Sequence, residues 1–152
     1  MAGFKYNGID AIEASLTQLA TLPDSARWSI LSAGAAVVQR FQQRQIGAEF
    51  KRRTGQLFGS ISVKRKGSGE AMAAQILPTG NRKRASTGRR SYRGRSNGSY
   101  QGTNAEVAYI LEYGSPRIPA SHWMEKANEQ AEPEMMRAEA AAWDEYLKSI
   151  NL

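Results

Sequence analysis

The stretch from residue 79 to residue 104 limits what this chain can fold into more than any other feature. It is rich in Gly, Ser, Asn and Arg, and its only bulky apolar-bodied side chains are Tyr92 and Tyr100. Such a segment cannot bury enough surface to offset the entropy of ordering it, so it is expected to be a mobile loop in the free protein. A loop of that length inside a small domain is functional or disordered. The core must therefore come from the two flanks. The chain's 152 residues suit a single domain spanning 1–152, with 79–104 as a basic loop within it.

Charge is distributed as unevenly as hydrophobicity. The net charge is +7, yet residues 51–105 hold thirteen basic side chains against one acid, Glu70. Residues 106–152 hold four basic and nine acidic ones, and residues 1–50 are balanced. A chain with a positive middle and an acidic end can attract a polyanion to one region and leave another for protein contacts. With 41% hydrophobic and 9% aromatic residues, the composition is globular. Cysteine is absent, which excludes disulfides and thiolate metal sites and fits a reducing cytoplasm. The apolar runs are too short to cross a bilayer, and no secretory leader is expected from Met1-Ala2-Gly3-Phe4-Lys5-Tyr6.

Periodicity supplies the elements. Ile9, Ile12, Leu16 and Leu19 recur at helical spacing over residues 10–20, with Asp10 and Glu13 as a capping box. A second helix is predicted over 24–45. Trp28, Leu31, Ala35 and Val38 form one stripe and Ile30, Ala33, Val37 and Phe41 another, so it should be buried on two sides. Arg40 and Arg44 would sit near its C-terminus and Gly47 would stop it. Leu57, Gly59, Ile61 and Val63 alternate with polar or aromatic neighbours as on a strand, and Met72, Ala74 and Ile76 alternate again. With Gly67-Ser68-Gly69 between them, the two runs predict a β-hairpin. Residues 106–114 read as a short strand or helical turn, and 121–149 as a long helix that Pro133 kinks or breaks. Trp123, Ala127, Ala131, Met135, Ala138, Ala142, Tyr146 and Ile150 trace its apolar stripe. The expected fold is α+β: long helices packed against a small antiparallel sheet, with the basic loop inserted between strands.

The search for chemistry returns little. His122 is the sole histidine, and Ser121 beside it does not face it on a helix, so the two make no nucleophile–base pair. Glu112 has no second carboxylate placed to share acid–base work, and no cluster has metal-ligand spacing. Gly67-Ser68-Gly69 lacks the Gly-Lys-Ser/Thr ending of a phosphate loop. No catalytic residue, metal or cofactor is expected. The sharpest feature is the loop itself. Arg82, Lys83, Arg84, Arg89, Arg90, Arg93 and Arg95 carry seven positive charges with no acid among them, and Tyr92 stands between them as a stacking residue. Such charges repel one another and suit an acidic partner or a nucleic-acid backbone, without base-specific reading.

Thr54-Gly55-Gln56-Leu57-Phe58-Gly59-Ser60-Ile61 resembles a motif of small tailed-phage proteins whose genes lie between the head-connector and major tail genes of siphophages. Its marks are Thr54, Gly55, Leu57 and Ser60. A second resemblance is Tyr109-Ile110-Leu111-Glu112-Tyr113-Gly114, with Tyr109, Glu112, Tyr113 and Gly114 as its marks, although the spacing departs from the family's. The Pro116–Ala127 stretch and Gly8-Ile9 with Leu16 and Leu19 also fit. The likeness covers most of the chain except the basic loop. It implies a head–tail joining or tail-completion subunit of the virion, made in the host cytoplasm and arranged as a homo-oligomeric ring (hexamer or dodecamer) in the neck. Implied neighbours are the connector and the tail-tube or terminator proteins. Genomic DNA could touch the loop non-specifically, and no membrane, cofactor or reaction is implied. A rival reading is a nucleic-acid-binding protein acting through the Arg/Tyr loop; a hydrolase using His122 is a distant third.

Overall fold

The structure, a computed structural model, describes residues 22–50, 55–82 and 102–150. The helix expected over 10–20, Thr54, and the loop residues from Lys83 through Arg95 lie outside them.

Pro23, fixed at φ −63° and extended at ψ 148°, opens helix α1 (Asp24–Glu49). Its carbonyl accepts the Arg27 N–H at 3.0 Å. Asp24 stands at the positive end of the helix and reaches the hairpin turn. Its carboxylate accepts from Arg65 Nη2 at 2.5 Å and from the Gly69 N–H at 2.9 Å. The predicted stop at Gly47 is wrong: α1 runs on to Glu49 and ends at extended Phe50, whose N–H bonds Ile46. A glycine inside a helix costs about 1 kcal/mol relative to Ala, too little to end one whose Ile46 is buried. Arg44 therefore lies outside the last turn.

The next element differs from expectation. Gln56–Ser60 is a short helix, α2, where a strand was predicted to begin. Leu57 and Ile61 are four residues apart and both buried, so their spacing satisfies a helical turn as well as alternation. The chain turns in through Gly55 at φ +67°. Two α1 amides then satisfy backbone carbonyls at the turn: Gln43 donates to Phe58 and Gln39 to Ile61. Strands β1 (Ile61–Lys66) and β2 (Ala73–Pro78) form the predicted antiparallel hairpin, with Val63 opposite Ile76. Gly67 (φ +73°) makes its turn, where a Cβ would lie 2.5 Å from the Ala71 carbonyl oxygen.

The basic segment leaves β2 and re-enters not at a strand but at helix α3 (Asn104–Tyr113). Its two ends are clamped together. Asn81 and Thr103 form an isolated antiparallel bridge, and the Arg82 N–H donates to Gly102 at 2.9 Å. Buried Asn104 donates its side-chain amide to Thr79 at 2.8 Å. The 106–114 stretch is thus a full helix, begun by a capping box in which Thr103 and Glu106 satisfy each other's N–H groups. Helix α4 (Trp123–Ser149) starts two residues later than expected and runs unbroken through Pro133.

The fold is α+β, with long helices α1 and α4 packed against a two-stranded antiparallel sheet. One core cluster joins Ile46, Leu57, Ile61, Ala108 and Trp123; a second joins Val37, Val38 and Ala131. Ile76 of β2 packs against both, so α1 is covered on two sides as its two stripes predict.

Candidate functional site

The junction between α3 and α4 is built around a buried carboxylate. His122 precedes α4 at φ +54° and makes no side-chain cap. Glu112, 5% exposed, supplies the cap from α3 instead. Its Oε2 accepts the Met124 N–H at 2.7 Å and its Oε1 the Glu125 N–H at 3.3 Å. A charged acceptor is well placed at the positive end of a long helix. The two peptides before α4 are paired as well, Ser121 N–H with Leu111 at 2.9 Å and His122 N–H with Glu112 at 3.2 Å. Beneath them Trp123 is fully buried and donates its indole N–H to Ala108 at 3.4 Å.

Gly114 ends α3 at φ +83°, and no other residue type fits there. A Cβ would stand 2.8 Å from the Ala120 nitrogen and 3.0 Å from the Ile118 oxygen, both backbone atoms. This close approach lets Ser115 and Ile118 pair across a tight turn. Glu112, His122 and Glu125 each bring one possible ligand atom within 4.8 Å of the others, a convergence that spacing alone did not reveal. Both Glu112 oxygens are engaged by backbone N–H groups, however, and His122 Nδ1 lies 3.5 Å from Glu125 with both side chains exposed. The arrangement is a helix cap with an exposed His–Glu pair beside it.

The opposite face of α3 points outward. Tyr109 and Tyr113 are each 64% exposed, and their rings lie 4.7 Å apart at 48°. Ile110 and Ile118 are exposed beside them. Tyrosines combine a broad apolar body with a polar tip and lose little entropy when held, which suits them to protein interfaces.

The motif residues thus divide by role. Gly55 turns the chain into α2, Leu57 is core, and Ser60 is buried with its hydroxyl bonded to Leu57. Glu112 and Gly114 hold the α3–α4 junction. Of the described motif residues, Tyr109 and Tyr113 alone have exposed side chains to meet a partner. Of the basic residues, Arg82 is described, half-buried at the clamp. Sequence reasoning missed the Thr103–Glu106 capping box, although Thr-x-x-Glu before an apolar run was there to be read. It also missed an amide pair between the long helices, buried Gln42 Nε2 donating to Oδ1 of exposed Asn128 at 2.9 Å, for which local sequence holds no signal. Among the described residues no helix is long and apolar enough to cross a membrane. Compared with protein-family models, curated proteins and solved structures, the chain matches none of them.

Proposed function

We propose that this chain is a non-enzymatic structural subunit of a tailed-phage virion, a ring-forming neck or tail-completion protein that joins head to tail. The observation that carries the reading is the exposed Tyr109–Tyr113 pair. It lies in the segment that resembles the phage family, and its motif neighbours Glu112 and Gly114 are occupied inside the fold. A surface of that kind, on a chain with a basic middle and an acidic end, suits repeated head-to-tail contacts that close into a ring. Connector and tail-tube or terminator proteins would flank the ring, and the basic segment would face DNA or an acidic neighbour.

Electron microscopy and sedimentation of the purified protein test this. Closed rings that dissociate in a Tyr109→Ser/Tyr113→Ser variant are expected; a wild-type protein that stays monomeric at high concentration would overturn the reading. A second reading is favoured by the thirteen basic residues between 51 and 105: a nucleic-acid-binding protein acting through its Arg/Tyr segment. It predicts binding that weakens steeply with salt and disappears when residues 81–102 are deleted.

A further inference from the structure

We infer that the groove between α1 and α4 is a seat for arginine side chains, supplied by the arginine-rich segment 82–95 of a second copy of this chain. The inference rests on the self-assembling reading above and names one of its contacts. The groove is open and has a volume of about 490 Å³. Its bed is apolar: Val38 from α1, Ile76 from β2 and Met135 from α4. Glu129 and Glu132 line it from α4, exposed and three residues apart on one helix face. Neither forms an ion pair among the described residues.

The decisive atom is on Gln42. This residue is 3% exposed and lines the groove, with its amide nitrogen held by Asn128. Its other amide atom, Oε1, is buried and has no hydrogen-bond partner among the described residues. A buried acceptor left unpaired is costly, and it marks a place where a donor belongs. An apolar bed, one unpaired acceptor and two unpaired carboxylates together describe an arginine: a methylene stem to lie on Val38, Ile76 and Met135, and a planar fork of N–H donors for Gln42 and the two glutamates.

Charge complementarity points to the source. Residues 82–95 carry seven cations and no acid, whereas residues 106–152 are net acidic. Both ends of the basic segment emerge from one clamp at Arg82 and Gly102. Seat and segment are different surfaces of the same chain, which is what a heterologous, head-to-tail contact requires.

The test uses full-length protein in sedimentation at low and high salt. Variant one reverses the seat (Glu129→Lys/Glu132→Lys); variant two neutralises the segment (Arg89→Ser/Arg90→Ser/Arg93→Ser/Arg95→Ser). Each alone should self-associate about tenfold more weakly than wild type. Mixed, they should form a one-to-one complex that grows no further, because each keeps one half of the contact. Gln42→Leu, with unchanged circular dichroism, should weaken association several-fold; association unchanged by it would overturn the seat. Rings that persist in both variants would refute this contact and leave the ring reading intact. Seat-dependent pairing without closed rings would do the reverse. A monomeric wild type, whether its segment lies in its own groove or elsewhere, would overturn the second-copy contact.

Discussion

The two halves of α4 carry one continuous apolar stripe but meet different surroundings. Before Pro133, Trp123, Ala127 and Ala131 are all 0% exposed, and the helix start is held by Glu112. Beyond it, Met135, Ala138, Ala142, Tyr146 and Ile150 are only half-buried, and no residue of α4 after Ala131 is buried. Trp143 stacks loosely on Tyr146, with ring centroids 5.9 Å apart, over an open hollow that also touches Leu31 and Met72. Spacing at three and four residues says which face of a helix is apolar; it does not say how much of that face is covered. The partners make the difference: Trp123 sits in the cluster of Ile46, Leu57, Ile61 and Ala108, and Ala131 in that of Val37 and Val38, whereas Met135 and Ala138 only border the second cluster.

Replacing the two tryptophans of α4 should expose that contrast most directly. Trp123→Ala removes a fully buried ring and its hydrogen bond to Ala108, and should cost about 3–5 kcal/mol. Trp143→Ala, from the half-covered end, should cost about 1–2 kcal/mol. Urea unfolding measures both, and equal losses would abolish the distinction between the two halves. Glu112→Ala comes next, at about 2–3 kcal/mol, because it leaves the Met124 and Glu125 N–H groups without their charged acceptor. Hydrogen exchange should speed up in the first turns of α4 and stay unchanged beyond Pro133. A smaller effect, about 1 kcal/mol, is expected from Thr103→Ala, which removes the α3 cap. Its exchange signature should appear in α3, upstream of the firmly held half of α4.

How far the sequence discloses this architecture depends on the range of the cause. The two apolar stripes of α1 foretell its coverage on two sides, and the alternation on either side of Gly67-Ser68-Gly69 foretells the hairpin. Boundaries fail where a local cue is weaker than tertiary packing, as at Gly47 inside α1, or where two periods coincide, as at Leu57 and Ile61. The candidate site was less legible still. Glu112 appears in a motif, but nothing near it says that its carboxylate will cap a helix beginning eleven residues later. That role exists only because Gly114 lets the chain reverse tightly enough to bring the start of α4 back to it. Nor do the tyrosines of α3 differ in sequence from core aromatics; their exposure follows from Ala108 and Glu112 occupying the inward face.

The smallest effect expected is also the one with a defined pH dependence, at the join between the end of α1 and the start of α4. Burial pushes the Glu49 carboxyl upward, but hydrogen bonds from Lys126 and Gln45 outweigh it and hold the group below its ordinary value of 4.5. A carboxyl lowered by folding stabilises the native state while it is ionised, so its contribution is complete above the unfolded-state value and is lost as pH falls through the lower, folded one. Glu49→Gln should therefore cost about 0.5 kcal/mol at neutral pH, the scale of a partly exposed pair. The gap between wild type and variant should close as the solution is acidified below pH 4.5. High salt should narrow it at neutral pH, since Lys126 is about half exposed and its charge is screened. A gap that instead widened in acid would mean that Glu49 is held by burial rather than by Lys126, and that the firm half of α4 owes nothing to this contact.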